Sequence, residues 1–545
     1  MQRHGGSLAL SAAAAHGVDT LFTLSGAHIF PLYDAATTTT PPVRVVDVRH
    51  EQTAVFAAEG LARVTRRPGL AAVTAGPGVT NSVGAVTTAA FNHVPLLLLG
   101  GRAPAYRWGS GALQELDHPP LLAPVTKLAA TVGATADLPA RVDEALRLAC
   151  TPPRGPVFLD VPMDVLFDVA DVEDGTGSVG APHPTATVDD VSVATVAGLL
   201  RSARRPLVVL GGDVWLDGAE EAARRLVETL NVPTLTNGMG RGVLPAGHPL
   251  LMSRARGAAV KGCDLAVVIG TPLDFRMGYG RFGPRDEPAA VVHVADSPSG
   301  IAAHAELSGA VAGPLTATLE ALAAAVDRPV GDEDWLTGLI ATSTAARAQD
   351  ADLLTSDQSP IHPARIYGEL LQRLEPGAVV IGDGGDFVSF AGRFVEPSRP
   401  GRWLDPGPFG CLGTGLGYAI AARIAHPSEQ VVLMLGDGAA GFSLMDVDTL
   451  VRHRLPVVMI VGNNGAWGLE LHPMRLMYGT DTAAVLNPAT RYDEVVCALG
   501  GGGETVTEPA DIGPALDRAF ASGVPYLVNV VTDPDVAYPR STTGL

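Results

Sequence analysis

Short apolar runs rich in Val, Leu and Ile recur along the chain, each bounded by Gly, Pro or Asp and separated by Ala-rich stretches of helical spacing. Runs apolar on both faces read as strands buried in a parallel sheet, and their alternation with helices reads as βαβ units. The first block predicts strands over Val43–Asp47, Leu70–Thr74, Leu96–Leu99 and Val157–Val161. The second predicts them over Pro206–Gly212, Pro233–Thr236, Leu265–Gly270 and Ala290–Val294, and closes with a helix over Leu315–Val326. The third predicts them over Ala378–Ile381, Val431–Leu435, Val457–Val461 and Leu527–Val531. Asp168–Asp190, rich in Asp, Gly, Pro and Thr, reads as a linker, and a second linker-like region with one helix follows Asp327. The pattern therefore predicts an α/β chain of three consecutive doubly wound parallel-sheet domains, over 1–170, 188–330 and 360–545. The first and third share a strand cadence without a direct sequence repeat.

The N-terminal apolar stretch ends at His16 and Asp19, and Leu8, Ala12 and Ala15 share helical spacing. An amphipathic helix is expected there, not a secretion signal, and the protein is expected in the cytoplasm. With 47% hydrophobic and 17% charged residues, the 545-residue chain is not of the disordered class. No apolar run approaches the ~18 residues of a membrane span, so no membrane partner is expected. The net charge of −19 argues against nucleic acid and leaves open a small phosphate-bearing ligand held by backbone amides and a metal. Cys150, Cys263, Cys411 and Cys497 are far apart in sequence with no CxxC, which argues against a disulfide framework or zinc site.

One pair of motifs decides the class. Val431–Gly438 (VVLMLGDG) is an apolar strand running into Gly-Asp-Gly, and Val457–Gly462 is a second strand running into Asn463-Asn464. Asp437 and Asn463 are 26 residues apart. Adjacent parallel strands would bring both motifs to the carboxyl edge of one sheet, where doubly wound folds bind ligands. An Asp carboxylate with an Asn carbonyl is a hard-oxygen set suited to Mg²⁺, and the glycines let backbone amides approach a diphosphate.

In these motifs the chain resembles the thiamine diphosphate (ThDP) enzymes of the acetolactate synthase, benzaldehyde lyase and 2-hydroxyacyl-CoA lyase superfamily, over essentially its whole length. The resemblance implies pyrimidine, central and diphosphate domains in that order. It implies Mg²⁺ on Asp437, Asn464 and the Ala466 carbonyl, with Gly436, Gly438 and Ala439 at the diphosphate. Arg49-His50-Glu51 and the AxxxAAEGxAR stretch from Ala54 match a second landmark, in which Glu51 hydrogen-bonds the aminopyrimidine. Thr74–Asn81 (TAGPGVTN) matches the turn under that ring, with Gly78 and Asn81. Phe409–Gly417 (FGCLGTGLG) places Leu412 as the apolar wedge that bends the cofactor and the Gly410 carbonyl on its amino group. Asp383–Asp386 matches a loop facing the diphosphate from the other side, with Gly385 and Asp386.

Further residues are expected to face the substrate. Ser25–Ile29 (SGAHI) resembles a benzaldehyde lyase segment whose His is an acid–base group, which makes His28 a candidate. Gln114 stands where relatives carry an active-site Gln, and Glu470 at the offset of a catalytic Glu in pyruvate decarboxylases. In the central block Pro272 replaces the first Arg of the flavin-binding pattern of acetolactate synthases, so FAD is not expected. Arg256 and Asp296 resemble positions that bind an ADP or CoA nucleotide in the CoA-dependent relatives, Asp296 shifted by one place.

The expected activity is ThDP- and Mg²⁺-dependent cleavage of a 2-hydroxyacyl-CoA to formyl-CoA and an aldehyde or ketone. The alternative is acetolactate synthase, in which pyruvate is decarboxylated and joined to a second 2-oxo acid. A third reading, a ThDP-binding protein without catalysis, is disfavoured because Glu51 and Asp437 are both present. A homodimer or homotetramer acting on an acyl-CoA or 2-oxo acid is expected.

Overall fold

In the computed structural model, which describes residues 2–40, 42–171 and 187–539, the apolar runs of the first block become a parallel sheet. Its strands are β1 (Thr20–Thr23), β2 (Arg44–Asp47), β3 (Gly69–Val73), β4 (Leu96–Arg102), β5 (Ala129–Thr131) and β6 (Pro156–Pro162), in spatial order 2-1-3-4-6-5. Strands β3 and β6 are buried throughout, as expected of strands covered by helices on both faces. The sequence pattern misses β1 and β5, because Thr-Leu-Phe-Thr and Ala-Ala-Thr carry too few apolar residues to stand out.

The central sheet is also parallel: β7 (Pro206–Leu210), β8 (Thr234–Thr236), β9 (Leu265–Ile269), β10 (Ala290–Ala295) and β11 (Gly309–Ala312), in order 8-7-9-10-11. The expected helix over Leu315–Val326 closes it. The third sheet holds β12 (Val379–Asp383), β13 (Trp403–Leu404), β14 (Val431–Gly436), β15 (Val458–Asn463), β16 (Gly502–Val506) and β17 (Tyr526–Val531). Its order, 13-12-14-15-17-16, repeats the strand order of the first sheet. The cadence noted in the sequence is therefore a shared topology.

Residues 172–186 of the first predicted linker lie outside the described residues. Just before them, Val169–Asp171 pairs antiparallel with Gln2–His4. In the second linker region the expected helix spans Glu333–Leu354. The N-terminal helix forms over Gly5–Ala15, but it buries Leu8, Ala9, Leu10 and Ala13 while Ala15 is exposed. Its contact face is thus rotated from the predicted stripe. Among the described residues no helix is long and apolar enough to cross a membrane.

The first and third sheets meet through helices α1 (Glu51–Thr65) and α2 (Thr414–Ala425). These run side by side with their N-termini together. Gly60 approaches Tyr418 so closely that a Cβ would lie 2.9 Å from the ring, and a Cβ on Gly417 would lie 2.6 Å from that of Phe56. Buried Glu59 accepts from the Tyr418 hydroxyl at 3.0 Å and from the Asn92 amide at 2.8 Å, and burial pushes its carboxyl up to about 7. Thr53 Oγ1 donates to Asp446 at 2.6 Å across the same seam. The apolar cores of the two domains merge here, whereas the central domain keeps a core of its own.

Candidate active site

Strands β14 and β15 pair in parallel with Gly436 opposite Gly462, so the Gly-Asp-Gly and Asn-Asn motifs emerge side by side at one sheet edge. A cavity of about 630 Å³ opens there, between the third and central sheets. Asp437 is only 3% exposed. Its Oδ1 accepts from the Gly438 amide at 3.0 Å, while Oδ2 is buried with no hydrogen-bond partner. Burial pushes its carboxyl up to about 6. A buried carboxylate oxygen left unpaired is costly, and a cation is the partner that would satisfy it.

The two asparagines divide their work. Asn463 is buried and donates to Asn529 Oδ1 at 3.2 Å, so it pins β15 to β17. Asn464 lines the cavity with its Oδ1 accepting from the Ala466 amide at 3.1 Å, and Ala466 lines it too. Helix α3 (Gly468–Tyr478) follows and carries Glu470, exposed, in its first turn on the cavity wall. Trp467 lies across Gly438 so tightly that a Cβ there would sit 2.5 Å from the indole. The donor set and the bare backbone fit a hard cation beside a diphosphate.

The opposite wall carries Gly385, Asp386, Gly410 and Leu412. Asp386, an unexpected acid here, accepts from the Tyr538 amide at 3.0 Å and so ties the C-terminal segment to this loop. Asp383 was not singled out from the sequence beyond its place in the loop. Its buried carboxylate accepts from the Gly413 amide at 3.2 Å and the Gly415 amide at 2.9 Å. It thereby fixes the turn that presents Leu412 and Gly410, and burial pushes it up to about 7.

None of the first-domain candidates lines this cavity. They form a second cluster. Glu51 is the first residue of α1, 8% exposed, and accepts from Asn81 Nδ2 at 3.1 Å. His28 is buried with Nδ1 3.0 Å from Thr74 Oγ1, and burial holds its pKa below the ordinary value. Gln114 occupies the left-handed region (φ 59°), directly over Gly76, where an added Cβ would lie 2.9 Å from that of Gln114. A non-glycine residue held there signals a position that the surroundings over-determine.

His118 is a residue that motif reading missed. It is fully buried, its Nε2 accepts from the Gly76 amide at 3.0 Å, and its Nδ1 lies 2.8 Å from Asp160. The Gly76 donor places the ring proton on Nδ1, and the pair locks the turn leading to Gly78 and Asn81. A His followed by Pro-Pro in a loop carries no recognisable signal, since its partner lies on a distant strand.

The two central-domain candidates part company. Arg256 lines the cavity. Asp296 is buried away from it, 3.2 Å from Arg154, in a cluster with Asp213 and with His93, which Asp213 pushes up to about 9.

Comparison with known proteins agrees with this architecture. Residues 3–121 match the N-terminal TPP binding domain of thiamine pyrophosphate enzymes, 193–322 their central domain and 383–530 their C-terminal TPP binding domain. The chain belongs to the thiamine diphosphate-dependent enzymes. It is 49% identical over 539 residues to acetolactate synthase large subunit IlvG of Mycobacterium tuberculosis, covering 98% of this chain and 97% of that one. It is 34% identical over 576 residues to human 2-hydroxyacyl-CoA lyase 2, covering 97% and 90%. The Caenorhabditis elegans 2-hydroxyacyl-CoA lyase 2 is also 34% identical, over 553 residues, covering 93% and 85%. The acetolactate synthase relative is thus markedly nearer than these lyases, which favours the alternative over the activity first expected from the motifs.

Proposed function

We propose that this enzyme is a ThDP- and Mg²⁺-dependent carboligase of 2-oxo acids, of the acetolactate synthase type. Two pyruvate anions and one proton give one acetolactate anion and CO₂. The observation that carries this reading is the 49% identity to an acetolactate synthase over 98% of the chain. ThDP when bound supplies the electron sink that makes loss of CO₂ and formation of a carbon–carbon bond feasible.

The protein's own residues take the remaining roles. The unpaired Oδ2 of Asp437, with Asn464 and the Ala466 carbonyl, holds Mg²⁺. Gly436, Gly438, Ala439 and Gly385 admit the diphosphate to their backbone amides. Leu412 and the Gly410 carbonyl, set by Asp383, orient the cofactor. Glu51, positioned by Asn81, holds a proton at the aminopyrimidine, above the turn of Gly78. His28, neutral at physiological pH because of its burial, and Gln114 meet the substrate oxygens. Glu470 sits at the mouth and exchanges protons with solvent.

In this reading the cluster around Glu51 is supplied by a second subunit in a symmetric dimer, which is supported by the absence of any first-domain residue, among the described residues, from the cavity lining of one chain. Exposed Phe442, Met445, Phe409 and Leu113 offer that subunit apolar surface. Nucleotide binding through Arg256 and Asp296 together is not part of this reading, because Asp296 is committed to Arg154 and lies away from Arg256's cavity.

The test is a side-by-side product assay with pyruvate and with a short 2-hydroxyacyl-CoA. Acetolactate and CO₂ from pyruvate are expected. Formyl-CoA from the thioester, with no acetolactate from pyruvate, would overturn the proposal.

A further inference from the structure

The central sheet has a second hollow, apart from the cavity that holds Asp437. From β9 to β10, and again from β10 to β11, the chain returns without an α-helix. The two return segments are pinned to each other and to the domain. His304 Nε2 lies 2.9 Å from the Leu273 carbonyl, and a Cβ on Gly280 would lie 3.0 Å from that of Ala305. The Gly283 amide donates to the Val260 carbonyl at 2.8 Å, and Phe282 beside it is buried. A cavity of about 1330 Å³ opens between the segments. It shares no lining residue with the cavity of Asp437. Ala290, which opens β10, and Ser308, which precedes β11, both line it. It therefore lies at the amino end of these parallel strands, away from the carboxyl edge where Gly270 and Asp296 stand.

In a chain of net charge −19 the walls of this cavity are basic. Lys261, in the last turn of the helix Arg256–Gly262, joins Arg281 and Arg285 on the lining, and Glu306 is the one acid among the lining residues. Asp286 and Glu287 follow Arg285 in sequence but do not line the cavity. Among the described residues none of the three cations has a side-chain hydrogen bond or ion pair. The chain's other lysine, Lys127, is by contrast committed to the Leu148 and Thr151 carbonyls at 2.6 and 2.5 Å. Unpaired cations on pinned segments suit a ligand with several negative charges. Tyr279, 60% exposed, adds an aromatic face to the lining, and its left-handed backbone (φ 55°) is one that a non-glycine residue holds only where its surroundings impose it.

We propose that this cavity binds a nucleoside di- or triphosphate, with the phosphates on Lys261, Arg281 and Arg285 and the base on the Tyr279 ring. The concave shape selects a small molecule, and the negative charge of the whole chain opposes a nucleic-acid strand. The site is distinct from the nucleotide positions expected at Arg256 and Asp296, neither of which lines it. It does not depend on the carboligase reading, because the ligand is bound here and not turned over.

The test uses full-length protein loaded with ThDP and Mg²⁺, at constant free Mg²⁺, titrated by calorimetry with ATP, ADP, AMP and inorganic tripolyphosphate. ATP and ADP are expected to bind about 10-fold or more tightly than AMP. The double variant Arg281→Gln/Arg285→Gln should weaken ATP binding by at least about 10-fold, the loss typical of hydrogen bonds to charged groups, and leave ThDP affinity unchanged. Tyr279→Ala should weaken ATP and leave tripolyphosphate unaffected. A second measurement needs no variant. ATP should shield Lys261 of the wild type from an amine-reactive ester, read by peptide mass spectrometry, with labelling of Lys127 unchanged. No saturable ATP binding up to millimolar concentration, or ATP binding that neither shields Lys261 nor responds to the double variant, would overturn the site. Tripolyphosphate binding as tightly as ATP, with Tyr279→Ala without effect on ATP, would overturn the assignment of a nucleotide.

Discussion

Replacing Asp437 by asparagine separates what this carboxylate costs the metal-free protein from what it does for a cation. Burial raises its pKa from the ordinary 3.8 to about 6, which disfavours the charged form at neutral pH by about 3 kcal/mol. The direction with pH follows from proton binding. Between 3.8 and about 6 the folded protein holds the proton and the unfolded chain has released it, so stability falls as pH rises through that window. Above it the full cost is present. Asparagine is nearly isosteric and uncharged, so chelated Asp437→Asn is expected to be more stable than chelated wild type at neutral pH. The ceiling of the gain is about 3 kcal/mol, and the gap should close near about pH 4. With Mg²⁺ and ThDP the gap closes and then reverses: a ligand adds about 2.7 kcal/mol to wild type at 100 times its Kd and about 4.1 kcal/mol at 1,000 times, while the variant should gain little. The assay is urea unfolding at fixed protein concentration, with chelator or with saturating Mg²⁺ and ThDP, at neutral and acid pH. A chelated variant less stable than wild type at neutral pH, or one that keeps the Mg²⁺-dependent gain, would refute the reasoning.

Three further outcomes are expected. Glu51→Gln should keep ThDP affinity, measured by calorimetry, because Asn81 can still donate to the amide oxygen, yet lose about 100- to 10,000-fold in turnover. Mixing inactive Glu51→Gln chains with inactive Asp437→Ala chains under conditions of subunit exchange should restore activity. Random pairing makes half the dimers mixed, each with one intact site, so about a quarter of wild-type activity is the ceiling, and background activity after proven exchange would exclude a shared site. Purified protein should show no stoichiometric flavin absorbance, because Pro272 stands in place of the flavin-pattern arginine; a yellow protein with one FAD per chain would contradict this.

Legibility in the sequence followed how local the signal was. Gly-Asp-Gly and Asn-Asn could be placed at one sheet edge because each ends an apolar run, and parallel pairing of two such runs leaves one geometry. Which asparagine faces the cavity was not decidable from spacing alone; Asn463 goes to Asn529, 66 residues further on. Asp383 and His118 act on backbone amides of other segments, Gly413 and Gly76, and no pattern along one segment reports such a contact. Arg256 and Asp296 read as a pair because both lie at plausible motif positions. The burial of Asp296 against Arg154, a first-domain residue, separated them.

The repeated strand order explains why the candidates form two clusters. In each outer sheet the order reverses between the first strand and the third, the crevice where doubly wound sheets place ligands. In the first sheet that crevice lies between β1 and β3, and His28, after β1, meets Thr74, after β3, across it at 3.0 Å. In the third it lies between β12 and β14, and Gly384 approaches Gly436 so closely that a Cβ would lie 3.3 Å from its nitrogen. Helices α1 and α2 are likewise equivalent, each following the second strand of its sheet, and each opens with candidate chemistry: Glu51 in one, the Gly410–Gly413 turn just before the other. One topology therefore carries the cluster of His28 and Glu51 on the first sheet and that of Asp437 and Asn464 on the third. Helices α1 and α2 of one chain pack on each other while its cavity lacks Glu51, and the proposed dimer gives the first-sheet crevice its role at the cavity of a second chain.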